Sequence, residues 1–211
     1  GGTKLATVVA DDNGAILHKV RQPTEARYGS DHVVSKLIQM VDQMLALVEI
    51  SRSQISAIGI SCGGPLDTTT GIVYSPPNLP DWDAVPLKKI VTTEFQVPTV
   101  IENDANASAY AEWKFGGGQG YDEVVFMTMS TGIGAGIVSK GQIYHGASDC
   151  AGEVGHQILI PNGPLCGCGN RGCLEAICSG PAIARRAQEA IQKQPETEML
   201  KLTDGKILAV K

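Results

Sequence analysis

Four side chains with metal-ligand chemistry fall inside the run "GHQILIPNGPLCGCGNRGCLE": His156, Cys166, Cys168 and Cys173. One imidazole and three thiolates, including a Cys-x-Cys pair and no carboxylate, form the donor set that zinc takes in structural tetrahedral sites. Disulfide bonding is the competing use of closely spaced thiols, but the set is odd and no secretory segment is read at the start of the chain. Cys62, Cys150 and Cys178 stand among apolar or small residues and read as buried thiols. A reduced, cytoplasmic chain is therefore expected, with zinc folding a glycine-rich loop that does not hold its own shape.

Other residues suit proton transfer and the binding of anions and hydroxyls. In "IENDANASA", Asn103 and Asp104 follow a buried strand and open a helix, the position at which α/β sheets bind ligands. A partly desolvated Asp104 there is placed to accept a proton from a hydroxyl, although Asn and Asp also serve simply as helix caps. Two glycine-rich turns, "GGTK" at 1–4 and "STGIGAG" at 130–136, can offer backbone N–H groups to an anion. Thr3 or Thr131 would add a hydroxyl and Lys4 a charge, and the alternative for either turn is a plain hairpin. One such loop in each of two α/β units would make a nucleotide clamp. Asn78 in "YSPPNLPDW", Glu153 three residues before His156, and Glu175 just past Cys173 are polar groups of the kind that hold vicinal hydroxyls. Each alone also reads as a solvated loop residue, and Trp82 as either core or the floor of its loop.

The elements that must position these groups are predicted from periodicity. Strands are predicted over 5–10 and 15–22, joined at Asn13-Gly14, a strong hairpin signal. Val34, Leu37, Ile38, Val41, Leu45 and Val48 recur at helical spacing over 30–50, with Ser30 or Asp31 as the cap. A strand over 55–61 ends in "CGGP", and a helix over 86–95 leads to a strand at 99–101 and a helix over 105–114. "FGGGQGYDE" has no apolar period, which puts a domain boundary near residue 117. Residues 1–117 then carry the first glycine turn and Asp104, and residues 118–211 begin a second unit with the other turn and the Cys/His knuckle. That unit is predicted to hold strands at 124–130 and 137–140 around a "TGIGAG" turn, a tight turn at "KGQ", and a helix over 181–194 entered through Pro181. Both ends look cut: a strand is expected before residues 1–4, and residues 201–211 stop inside a further turn and element.

Composition narrows the class. The 211 residues are 43% hydrophobic, enough for buried cores. A net charge of −5 without a basic run argues against nucleic acid or an anionic membrane as partner. No apolar stretch approaches the roughly 20 residues of a membrane span. Alternating strands and helices imply an α/β architecture.

Taken in order, "GGTK", "CGGPLD", "SPPNLPDW", "ENDANASA", "STGIGAGI", "GEVGH" and "CGCGNRGCLE" resemble the ROK family of bacterial sugar kinases and sugar-responsive repressors, over nearly the whole chain. The resemblance implies the actin-like ATPase (ribonuclease H-like) fold, two α/β domains around a cleft that closes on a sugar and a nucleotide. It implies Asp104 as the general base, with Asn78, Asn103, Glu153, His156 and Glu175 holding sugar hydroxyls and Gly63 and Gly64 lining the pocket. Gly2, Thr3 and Lys4, together with Thr131, Gly132 and Gly134, would embrace the phosphates of ATP and its Mg2+. His156, Cys166, Cys168 and Cys173 would bind structural Zn2+. One departure is that the family's aspartate just before the two glycines has no counterpart in this sequence. A family kinase also continues for roughly another third, including adenine-contacting segments, so this piece is expected to bind sugar poorly and ATP hardly at all. The expected function is ATP-dependent phosphorylation of a hexose, glucokinase-like, in a cytoplasmic homodimer. The alternatives are a kinase for an N-acetylated hexosamine or fructose, or a sugar-responsive repressor with a DNA-binding segment before Gly1.

Overall fold

The computed structural model describes residues 2–76, 78–194, 196–198 and 200; the element expected over 201–211 lies outside the described residues. The chain forms two compact units, Gly1–Ala107 and Ser108–Lys211.

The first unit opens with β1 (Lys4–Ala10) and β2 (Ile16–Pro23), an antiparallel pair in register from Lys4↔Pro23 to Ala10↔Ile16 with an irregularity at Val9/Ala10. Asn13 and Gly14 make the turn as expected. Asp11 Oδ1 accepts from the Asn13 and Ala15 amides, and Gly14 adopts the left-handed φ of 81° that glycine tolerates. Helix α1 (Gly29–Leu47) packs on β1. Its start differs from expectation: a 3-10 turn at Ala26–Tyr28 runs straight into the helix, so Tyr28 takes the cap position and Ser30 and Asp31 lie inside the first turn. Its buried stripe includes Val33, Met40 and Met44, which the apolar spacing had not singled out.

Strand β3 (Ile58–Cys62) lies parallel to β6 (Thr99–Asn103), paired from Ile58↔Thr99 to Cys62↔Asn103. The connection runs through a small hairpin, β4 (Leu66–Asp67) with β5 (Ile72–Val73), and helix α2 (Leu87–Phe95). Parallel strands require a long crossover of this kind. Leu87, Val91 and Phe95, spaced by four, bury one face of α2 against Val73, Leu79, Trp82 and Ile101. Trp82 is therefore core. Between β1, β3 and α1 lies a cavity of 780 Å³, lined mainly by apolar side chains of those elements.

Helix α3 (Asp104–Phe115) carries the chain into the second unit. Trp113, near its end, donates from Nε1 to the Tyr121 carbonyl and stacks its ring over Gly141. That packing ties the tail of the helix to the second unit, and the compact units divide at Ala107/Ser108 rather than in the glycine run at 117.

The second unit is built on β7 (Glu123–Met129), β8 (Ile133–Ser139) and β9 (Gln142–Ile143), an antiparallel sheet in the order β7-β8-β9. The expected turn over "TGIGAG" is shorter in the structure. Ile133 to Gly136 already pair with β7, Gly134 lying opposite Thr128, so only residues 130–132 turn. Lys140 and Gly141, at φ 50° and 76°, make the tight turn to β9. Nearer the end of the described chain lie two helices, α4 (Leu174–Cys178) and α5 (Gly180–Lys193), with Pro181 in the first turn of α5 and the Ser179 hydroxyl accepting from the Ala182 amide.

Candidate active site and metal centre

In the first unit, the site forms where β3 and β6 end side by side. Because Cys62 pairs with Asn103, the next residues of each strand, Gly63 and Asp104, leave the sheet together. A Cβ on Gly63 would stand 3.9 Å from Asp104 Oδ2, and one on Gly64 would stand 3.5 Å from Asn103 Nδ2. Four of the sequence-derived residues therefore share one spot at the carboxyl end of a parallel pair. Asn103 performs the cap: its Oδ1 accepts from the amides of Ala105 at 2.9 Å and Asn106 at 3.4 Å. Asp104 heads the first turn, where the positive end of the helix dipole favours a carboxylate. Its side chain is exposed, where partial desolvation was expected, because it projects from the first turn beyond the strand ends. Burial pushes the neighbouring Cys62 thiol up, and the negative charge of Asp104 adds to that rise.

Two residues that sequence reasoning missed lock this turn. Glu102 Oε1 accepts both the Asn103 amide at 2.9 Å and Asn106 Nδ2 at 3.0 Å. A carboxylate just before the capping Asn103 and an amide three residues after it were the available signal. Elsewhere in the unit, Gly2 lies directly against Asn78, whose carbonyl oxygen and Cβ would meet any Cβ placed on Gly2. Glycine is required there, and the first glycine turn is thereby joined to the proline-stiffened loop. Thr3 gives its carbonyl to the Thr24 amide at 3.1 Å, while Lys4 already belongs to the β1 ladder, which narrows the open part of that turn to Gly2 and Thr3.

In the second unit, His156, Cys166, Cys168 and Cys173 converge, one ligand atom from each lying within 4.8 Å of all the others. Cys166 Sγ is 3.6 Å from His156 Nδ1, and Cys168 Sγ is 3.7 Å from Cys173 Sγ. With zinc–sulfur bonds of about 2.3 Å and zinc–nitrogen bonds of about 2.0 Å, a tetrahedron has edges of about 3.8 Å and 3.6 Å. The donor set fits a tetrahedral metal in both chemistry and spacing. All six cysteines are free thiols. Desolvation and the two neighbouring sulfurs push the buried Cys173 thiol up to about 12, whereas the Asn170 amide leads in drawing Cys168 down. Three thiols packed this closely, one resisting ionisation, are what a cation would relieve.

The loop is more ordered by its own backbone than its glycine content suggests. Cys166 N–H reaches the Asn170 carbonyl at 2.8 Å, Gly169 N–H the Cys166 carbonyl at 3.0 Å, and Gly172 N–H the Pro164 carbonyl at 2.8 Å. Gly169 and Gly172 supply the left-handed conformations, φ 90° and 81°, that these turns need. With Nδ1 facing the sulfurs, His156 Nε2 points towards Glu153, 3.7 Å from its Oε2. That gap is too long for a hydrogen bond. Glu175, half-buried at the start of α4, accepts the Ile133 amide at 2.8 Å, directly beside the 130–132 turn. Thr131 is exposed at the tip of that turn.

Comparison with known proteins agrees with these features. A family model described as "ROK family" matches residues 1–210. The glucokinase of Streptomyces coelicolor is 40% identical over 211 residues, covering 97% of this chain and 63% of the relative, so the chain spans less than two thirds of that enzyme's length. The crystal structure of a ROK family glucokinase from Streptomyces griseus in complex with glucose and AMPPNP superposes with a TM-score of 0.75 at 36% identity, covering 100% of this chain and 66% of that one. The xylose repressor of Bacillus subtilis is 35% identical, covering 79% of this chain and 43% of the repressor. Two α/β units of this topology define the actin-like ATPase class. Within it, the chain belongs to the ROK family.

Proposed function

We propose that the full-length protein is an ATP-dependent hexose kinase of the glucokinase type and that Asp104 is its general base. The observation that carries this reading is the exposed carboxylate of Asp104 at the head of α3, beside Gly63 and on a helix that Asn103 caps. As a sugar hydroxyl oxygen attacks the γ-phosphorus of ATP, Asp104 takes the hydroxyl proton and ADP departs. Asn78, Asn103, Glu153, His156 and Glu175, with Gly63 and Gly64, hold and orient the sugar. The turns at Gly2, Thr3 and Lys4 and at Thr131, Gly132 and Gly134 receive the phosphates with Mg2+. Orientation of the reacting groups supplies much of the acceleration. His156, Cys166, Cys168 and Cys173 hold a structural Zn2+, which fixes the imidazole so that Nε2 faces the Glu153 side. A cytoplasmic setting and a homodimeric assembly complete the proposal. Among the described residues no helix is long and apolar enough to cross a membrane.

A coupled ATP-consumption assay on the full-length protein, run with glucose, N-acetylglucosamine, N-acetylmannosamine and fructose, tests this reading. Sugar-dependent ADP release, strongest with glucose, is the expected result. The second reading, a sugar-responsive repressor, is favoured by the similarity to the xylose repressor. Tight sugar binding without ADP release for any of the four sugars would replace the kinase with that repressor.

A further inference from the structure

Ile133, the first residue of β8 after the 130–132 turn, is 4% exposed and is gripped from two sides. Its amide donates to Glu175 Oε2 at 2.8 Å. Its carbonyl lies against Gly155, the residue immediately before His156, so closely that any Cβ at 155 would collide with that oxygen. Gly132 is held in the same manner: a Cβ there would stand 2.6 Å from Glu175 Oε2. A third tie runs from the Gly180 amide to the Ser130 carbonyl at 2.8 Å. The 130–132 turn is thus fastened at its far end by a carboxylate that starts two residues beyond Cys173.

We propose that Glu175 is a positioning residue for the 130–132 turn, holding it in the conformation that receives phosphate and so linking the metal knuckle to nucleotide affinity. The proposal rests on the reading of that turn as a phosphate loop. The physical basis is that Ile133 is buried and its N–H needs an acceptor, and a charged acceptor at 2.8 Å fixes the backbone more firmly than a neutral one. Glu175 leaves the amides of Thr131 and Gly132 to the ligand. Gly132 is then required for the passage of the carboxylate as well as for the turn.

Three variants of the full-length protein test this. Glu175→Ala removes the acceptor, Glu175→Gln keeps an acceptor oxygen without the charge, and Gly132→Ala leaves Glu175 unchanged but drives its carboxylate away. Glu175→Ala and Gly132→Ala are expected to raise the Kd for AMPPNP, measured without sugar, roughly tenfold, the order of one hydrogen bond to a charged group. Hydrogen exchange at the Ile133 amide should quicken in both. Glu175→Gln should recover most of the AMPPNP affinity and the Ile133 protection while its KM for sugar remains raised. Thr131→Ala, which alters the tip of the turn and not its anchor, separates the two levels of the reading. Unchanged AMPPNP binding in Thr131→Ala would remove the phosphate loop and the proposal with it. Weakened binding in Thr131→Ala with unchanged binding in Glu175→Ala and Gly132→Ala would overturn the positioning role alone.

Discussion

The two candidate regions reach precision by opposite means. At the β6–α3 turn, Asn103 and Asp104 sit on regular elements: a parallel strand pair in register, a helix capped by Asn103, and Glu102 bonded on both sides of the cap. At the knuckle, regular structure is nearly absent. Its shape comes from glycine turns, a few backbone hydrogen bonds and four side chains that converge from 156, 166, 168 and 173. A site on a strand end inherits its geometry from the apolar core beneath it, where Leu87, Phe95 and Ile101 are almost wholly buried. A site on a glycine-rich loop has little core, Cys166, Cys173 and Ala176 among the described residues, and a metal cross-link there would offset its ordering entropy. The first region is therefore expected to be insensitive to metal and the second to depend on it.

The sharpest way to break this contrast is to act on the chemistry of one region and the cross-link of the other. Asp104→Asn in the full-length protein should lower kcat by about 10²- to 10⁴-fold, the usual contribution of a general base, while sugar Kd stays within a few-fold. Steady-state kinetics with calorimetric sugar binding checks this, and undiminished turnover would remove Asp104 from its role. Next in size, Cys173→Ser or exhaustive chelation should abolish stoichiometric zinc, raise sugar Kd roughly tenfold or more and speed hydrogen exchange over 156–178, while exchange over 58–62 and 99–103 stays unchanged. Normal sugar binding in a verified zinc-free protein would show that the backbone hydrogen bonds of the loop suffice.

Smaller effects refine the picture. Asn103→Ala removes the cap of α3 and should cost about 1 kcal/mol in chemical denaturation of the first unit, with a larger fall in activity because Asp104 loses its fixed start of helix. Loss of stability without loss of activity would mean that Asn103 is a cap and nothing more. Ser179→Ala removes the cap of α5, whose 3.4 Å hydrogen bond is long, and should cost only about 0.5 kcal/mol, with zinc content unchanged. A drop in zinc stoichiometry would show that the knuckle leans on α5.

Much of this was legible in the sequence. The hairpin at Asn13-Gly14, the apolar spacing of α1, the helix over 86–95 and the β6–α3 turn arise from local spacing, and local spacing is what turn chemistry and side-chain periodicity encode. The Cys-x-Cys pair with His156 was legible for the same reason, since donor identity is chemical and needs no coordinates. What escaped was decided by contacts between distant segments. The glycines of "TGIGAG" looked like a turn but two of the three, Gly134 and Gly136, pair with β7, because a ladder partner overrides a flexible residue's preference. Ser30 and Asp31 looked like caps but the preceding 3-10 turn had already started the helix. Glu175 read as a carboxylate for sugar hydroxyls, and nothing within its own segment shows that it accepts an amide 42 positions earlier.

The sequence by itself determined which groups are present and which neighbours they keep along the chain: an imidazole with three thiols, a carboxylate after a capping amide, and glycines where backbone must come close. Tertiary structure alone decided that Cys62 ends beside Asn103, that Gly2 lies on Asn78, and that Glu175 holds Ile133. The reason is physical. Propensity, capping and ligand chemistry act over a few residues, whereas register and packing arise only when apolar faces from separate segments are buried together, and that burial fixes which side chains meet.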